Sequence, residues 1–186
     1  MVGFEEIQAA YYMVAATGVL VAAIYYVMNL RMSRKNQELS LKTQEQTLET
    51  RQAQLFMNVY QRFGEPDLLG AWYEAMSCQW RDFDDFIAKY GQEANPAFWI
   101  KFLTLGTFFE GIGVLVKRGY IDATLVDDMM SMHIVTYWQK FEPIIMGFRR
   151  IWNSPTVNEY FETLYDAVYE IWRQQHPETL KPIISQ

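Results

Sequence analysis

The chain holds one cysteine, Cys78, in 186 residues, which excludes an internal disulfide framework and any zinc site built from several thiolates. With only two histidines, His133 and His176, a histidine-rich metal cluster is excluded as well. A di-metal carboxylate bundle needs Glu-x-x-His on its helices, yet Met130 and Arg173 stand three residues before these histidines. Phosphate loops are missing too. Gly106 and Gly111 have the right spacing, but Ile112 and Gly113 occupy the places where Lys and Ser/Thr are required. Gly111 and Gly113 are followed by Val116 rather than a third glycine, inside a helical pattern and not after a strand, so no dinucleotide-binding turn is expected. A Cys/His nucleophilic pair would have to be Cys78 with His133, and the sequence favours a core thiol and a hydrogen-bonded core imidazole over that pair. There is no strand alternation bounded by hairpin turns, no internal repeat and no low-complexity tract. The expectation is a non-enzymatic protein with no cofactor and no metal.

What is present is apolar and aromatic. Hydrophobic residues make up 51% of the chain, and 12 Phe, 12 Tyr and 6 Trp give it enough large side chains for a packed core. The net charge of -6 argues against nucleic acid as a partner. That charge is unevenly placed. From Ala9 to Leu30, 22 residues pass without an Asp, Glu, Lys, Arg or His. At 1.5 Å per residue such a helix reaches about 33 Å, against a hydrocarbon thickness of about 30 Å. Tyr11 and Tyr12 at one end and Tyr25 and Tyr26 near the other suit the two headgroup layers. Glu5 and Glu6 precede the run, and Arg31, Arg34 and Lys35 follow it. The positive-inside bias therefore puts residues 1–8 outside and the C-terminal part in the cytoplasm of a cell bounded by this inner or plasma membrane. A cleaved signal peptide fits poorly, since it would begin with basic residues and end in a small-residue cleavage site. Gly18 and Ala22, four apart, are a candidate pairing face within the span.

Residues 31–62 contain no Gly or Pro and are rich in Gln, Glu, Lys and Leu, with Glu38 and Lys42 as a favourable i,i+4 pair, so they read as a helical stalk. Leu41, Leu48 and Leu55 recur every seven residues, but the companion positions are polar, which is half a coiled-coil seam. The stalk carries six bases against three acids, and the remainder of the chain ten bases against seventeen. A basic segment beside the bilayer attracts anionic headgroups, while the acidic part is repelled by them.

From residue 63 to 175 the sequence predicts a cytosolic bundle of about five to six helices after the transmembrane helix and stalk of an all-α fold, with the stalk end 53–62 packing into it. Leu55, Phe56, Val59, Tyr60 and Phe63 form the incoming apolar face until Gly64 and Pro66 end that helix. Leu68, Leu69, Trp72, Tyr73 and Met76 mark the next helix. A short one follows between Asp82 and Gly91, which suit its two ends. Asn95 and Pro96 start a helix expected to run to Gly119, apolar on nearly every side and therefore central to the bundle. Its rival reading as a second span is opposed by Lys101 and Glu110, since a charge at mid-membrane costs about 2.5–3.5 kcal/mol on the insertion scale. Asp122 starts another helix, which Pro143 should kink or split. Ser154 and Pro155 should start the last one, and residues 176–186 read as a loose tail.

One line on the apolar helix invites a functional reading. Gly106, Glu110, Gly113 and Lys117 fall at i, i+4, i+7 and i+11, with Thr107 alongside. The line reads as a close helix contact, an exposed edge, or a ligand site. In the first case Glu110 needs a base or hydroxyl partner. Lys117/Arg118 and Arg149/Arg150 lie near helix ends, where cations suit the dipole.

The segments FFEGIGVLVKRGYID (Phe108–Asp122) and TYWQKFEPIIMGFRR (Thr136–Arg150), with the order of parts from Ala9 to Trp172, resemble a family of small prokaryotic membrane-anchored helical proteins known as a domain of unknown function. The resemblance implies the helical fold and carries no activity or site residue. Sequence alone thus leads to a membrane-anchored interaction module that binds another protein or its own copies. A ligand-sensing or transport-accessory subunit with a pocket near Glu110 is the alternative.

Overall fold

A computed structural model describes residues 3–175. Those residues are all-helical, with six helices and no strand: α1 (Phe4–Phe63), α2 (Pro66–Ser77), α3 (Phe83–Tyr90), α4 (Pro96–Lys117), α5 (Ala123–Ile151) and α6 (Glu159–Gln175). The expected tail, 176–186, lies outside the described residues. The chain divides into two compact units, Met1–Thr50 and Arg51–Gln186.

The first unit is the greater part of α1. Every side chain described there is exposed. Its helix has no breaker after Gly18, and the hydroxyls of Thr17, Thr43, Thr47 and Thr50 donate to the carbonyl four residues back at 2.7–2.8 Å, so they add no unmet polar group.

The second unit is the bundle, which takes in the last turns of α1. Phe56 and Phe63 of α1 are buried in it, and the Gln52 amide donates to the Gly119 carbonyl at 3.0 Å. Local chemistry sets the helix ends. Asp82 accepts from the Asp85 N–H, Asn95 from the Phe98 N–H and Asp122 from the Thr124 N–H, each satisfying a donor that the first turn leaves free. α4 stops at Lys117, two residues before its expected end. Gly119 turns left-handed there (φ 70°), and the N–H groups of Gly119 and Tyr120 bond back to Val116 and Leu115 at 2.9 Å, the Schellman pattern.

Three expectations are corrected. α4 is not the central helix: it buries Phe98, Phe102, Leu105, Phe109, Ile112 and Gly113, but Ile100, Leu103, Thr104 and Thr107 are exposed. α5 takes that place, with thirteen buried residues including Tyr137, Trp138 and Phe141. High hydropathy marks residue type, whereas burial depends on which faces meet neighbours. Of the kink or split expected at Pro143, the split does not occur: α5 runs unbroken past it, with the proline on the exposed side. α6 begins at Glu159, not at Ser154, because Asn153 and Asn158 take left-handed backbone (φ 47° and 55°) and hold residues 155–158 in turns.

α6 packs on α4 and α5. Aromatic contacts fill the centre: Phe109 stacks on Phe161 at 5.0 Å, Tyr137 on Phe141 at 4.5 Å, and Trp138 meets Phe161 edge-on at 4.9 Å. Such pairs add about 0.5–1.5 kcal/mol each beyond their buried area.

Candidate functional site

Gly106, Glu110 and Gly113 meet the start of α6. Glu110 accepts a hydrogen bond from the Phe161 N–H at 2.7 Å, and Asn158 donates through its side-chain amide to the Gly106 carbonyl at 3.4 Å. A Cβ at Gly113 would run into the backbone carbonyl of Tyr160, and one at Gly106 would lie 3.2 Å from the Asn158 amide. The line is therefore a close helix contact along three of its members. The partner of Glu110 is neither a base nor a hydroxyl but a backbone N–H in the first turn of α6, where a carboxylate also suits the positive end of the helix dipole. Thr107 and Lys117 are exposed.

Beside this contact is a cleft of about 170 Å³, lined by Phe102, Leu103, Gly106, Thr107, Glu110, Tyr137, Ile145 and Asn158. Drug-sized ligand pockets run from about 300 Å³ upward. The α5–α6 turn next to it is fixed from α5. Arg149 donates through Nε to the Val157 carbonyl at 2.8 Å and through Nη1 to Glu162 Oε2 at 2.7 Å. Arg149 thus reaches across to α6 instead of serving its own helix end, while Arg150 is exposed, as are Lys117 and Arg118.

Lys140 and His133 have placements that sequence reasoning missed. Lys140 donates to the carbonyls of Met76 and, at 2.7 Å, Cys78, and its ammonium sits 5.2 Å from the centre of the Trp80 ring. It closes the C-terminal end of α2, and partial burial lowers its pKa. The Cys78 thiol donates to the Glu74 carbonyl, and burial pushes its pKa up, which makes it a poor nucleophile. His133 is half-buried edge-on between Phe63 (4.8 Å) and Trp72 (4.9 Å), its Nδ1 buried without a partner. Aromatic packing, not the expected hydrogen bond, holds the ring, and desolvation lowers its pKa. Among the described residues no group of three or more His, Cys, Asp and Glu side chains is placed to hold a metal.

In the first unit, Tyr11, Tyr12, Tyr25 and Tyr26 stand exposed at the two ends of the uncharged stretch, and Arg31, Arg34 and Lys35 follow it, also exposed. Gly18 and Ala22 are exposed on the same helix, with open space where a Gly18 Cβ would be. By length and composition α1 and α4 are each apolar enough to cross a membrane. The apolar stretch of α1 is wholly exposed among the described residues, whereas that of α4 is partly buried in the bundle.

These features define an all-helical bundle preceded by a long apolar helix. The chain belongs to the family DUF4760, a domain of unknown function, which matches residues 12–168 and so covers most of the apolar stretch as well as the bundle. No curated protein and no solved structure matches the chain.

Proposed function

We propose that this protein is a non-enzymatic interaction module, tethered to the inner face of the plasma membrane by Ala9–Leu30 and presenting its helical bundle to the cytoplasm. The observation that carries the reading is that α1 leaves its long uncharged surface wholly uncovered, with Leu20 at 63% and Val19 at 72% exposure. Folding does nothing to remove that surface from water, whereas a bilayer does. Glu5 and Glu6 before the span against Arg31, Arg34 and Lys35 after it support an outside N-terminus. α4 is assigned to the bundle, making α1 the single span: its Lys101 pairs with Glu74, and its Glu110 is committed to Phe161. In the bundle Glu110, Arg149, Lys140 and the Cys78 thiol are taken up in helix ends and helix contacts, which supports a binding role over a catalytic one.

The second reading is a sensor or transport-accessory subunit, favoured by the cleft that Gly106, Thr107 and Glu110 share. Its small volume suits only a small ligand. Extraction in mild detergent, followed by mass measurement and identification of co-purifying chains, separates the two. The interaction reading predicts an assembly heavier than one chain. A lone monomer contradicts it, and a small molecule retained beside Glu110 favours the sensor.

A further inference from the structure

The uncovered helix carries a register that continues from the span into the stalk. Counting in sevens from Leu41 and Leu48 back towards the N-terminus gives Arg34, Val27, Leu20 and Met13, so five of these six positions are apolar. The positions three residues later are Ala16, Ala23, Leu30, Gln37, Gln44 and Arg51. Together they are the a and d places of one heptad pattern, and α1 is continuous helix throughout. Leu20, Val27, Leu41 and Leu48 are 63%, 47%, 61% and 59% exposed, so none of the described residues covers them.

We propose that this seam pairs in parallel with the same seam of a second copy, an inference that rests on the anchored reading above. Three features identify the occupant. No lipid tail reaches Leu41 or Leu48, whereas a facing helix selects their seven-residue spacing. The alanines at 16 and 23 allow close approach in the span, where packing rather than water expulsion drives pairing. Charge also selects the direction. With Leu41 at a, Glu38 and Glu45 occupy e positions and Ser33 and Ser40 occupy g positions. In a parallel pair g faces the e place five residues on in the other copy, so Ser33 meets Glu38 and Ser40 meets Glu45, hydroxyl to carboxylate. An antiparallel pair sets Glu38 against Glu45. Two copies anchored in one membrane are already parallel. Gln37 and Gln44 are self-complementary across the seam because each amide both donates and accepts. Gly18 and Ala22 fall at f and c, on the opposite side of the helix.

The test uses the full chain with Cys78→Ala, expressed and kept in its membranes, with single cysteines introduced and oxidised. A disulfide needs Cα atoms about 4.4–6.8 Å apart, which the a and d places of paired helices allow and the outer places do not. Gln37→Cys, Leu41→Cys, Gln44→Cys and Leu48→Cys should give a band at twice the chain mass, while Leu39→Cys, Thr43→Cys and Gln46→Cys should stay at background. Adding Leu41→Glu and Leu48→Glu to Gln44→Cys should abolish its band. Even cross-linking at all places, none at any, a stronger band for Ala22→Cys than for Ala23→Cys, or a product of another mass overturns the pairing. If the protein still sediments with membranes in those cases, the anchored reading stands. A soluble full-length chain overturns both.

Discussion

Replacing Gly113 and Gly111 by alanine should move stability in opposite directions although the two glycines are two residues apart on α4. Alanine is favoured over glycine in a helix interior by about 0.8–1.0 kcal/mol. At Gly111, which is exposed and has nothing within 4 Å of an added Cβ, that gain should appear nearly whole. At Gly113 the added methyl meets the Tyr160 carbonyl, a backbone atom that cannot swing aside. The first turn of α6 must retreat, against the 2.7 Å bond from Phe161 N–H to Glu110. Overpacking of this kind costs about 1–3 kcal/mol, and a hydrogen bond to a charged group is worth about 1.5–3 kcal/mol, so the loss exceeds the propensity gain. We expect Gly113→Ala to destabilise the bundle by about 1–3 kcal/mol, or roughly 2–4 °C in Tm per kcal/mol for a chain of this size. Thermal unfolding in detergent can be followed by tryptophan fluorescence, since Trp138 rests against Phe161 of α6. If Gly113→Ala raised Tm as much as Gly111→Ala, α6 would not lie on the α4 backbone and the site geometry would be wrong.

Glu110→Ala removes the acceptor for the Phe161 N–H and should lower stability by about 0.5–2 kcal/mol, as loss of an N-terminal cap does; Glu110→Gln keeps an oxygen and should lose less in the same melt. Lys140→Met keeps the apolar stem near Trp80 but leaves the Met76 and Cys78 carbonyls without their donor, for a loss of about 1–3 kcal/mol in denaturant titration. His133 has its pKa lowered by desolvation in the fold, so the unfolded chain binds the proton more readily. Its contribution is therefore intact above the free histidine value of about 6.5 and declines as pH falls below it, towards the lower folded value. His133→Phe, which keeps the ring between Phe63 and Trp72, should flatten the change in Tm between about pH 7.5 and pH 5.5. An unaltered slope would refute this role.

The features that could be read from sequence are those set by neighbours along the chain. The uncharged run in α1, the caps at Asp82, Asn95 and Asp122, and the shared face of Gly106, Glu110 and Gly113 all follow from local spacing. What was hidden depends on partners far along the chain. Ser154 and Pro155 look like a helix start, but the first turn of α6 is served by Glu110, 51 residues away from Phe161. Lys140 closes α2 from 62 and 64 residues away, which no local pattern records. The depth of α5 was masked by its buried polar members, Asp127 and Thr136, while the exposed Ile100 and Leu103 made α4 look more central than it is.

The central claim is that Ala9–Leu30 crosses a bilayer once, with the bundle inside. Thiol labelling tests it most directly, using full-length chains that carry Cys78→Ala with either Gly3→Cys or Thr50→Cys in cells stripped to their plasma membrane. A membrane-impermeant maleimide should label the Gly3→Cys chain in intact cells and the Thr50→Cys chain only after lysis. Labelling of both in intact cells, or of Thr50→Cys alone, would contradict it.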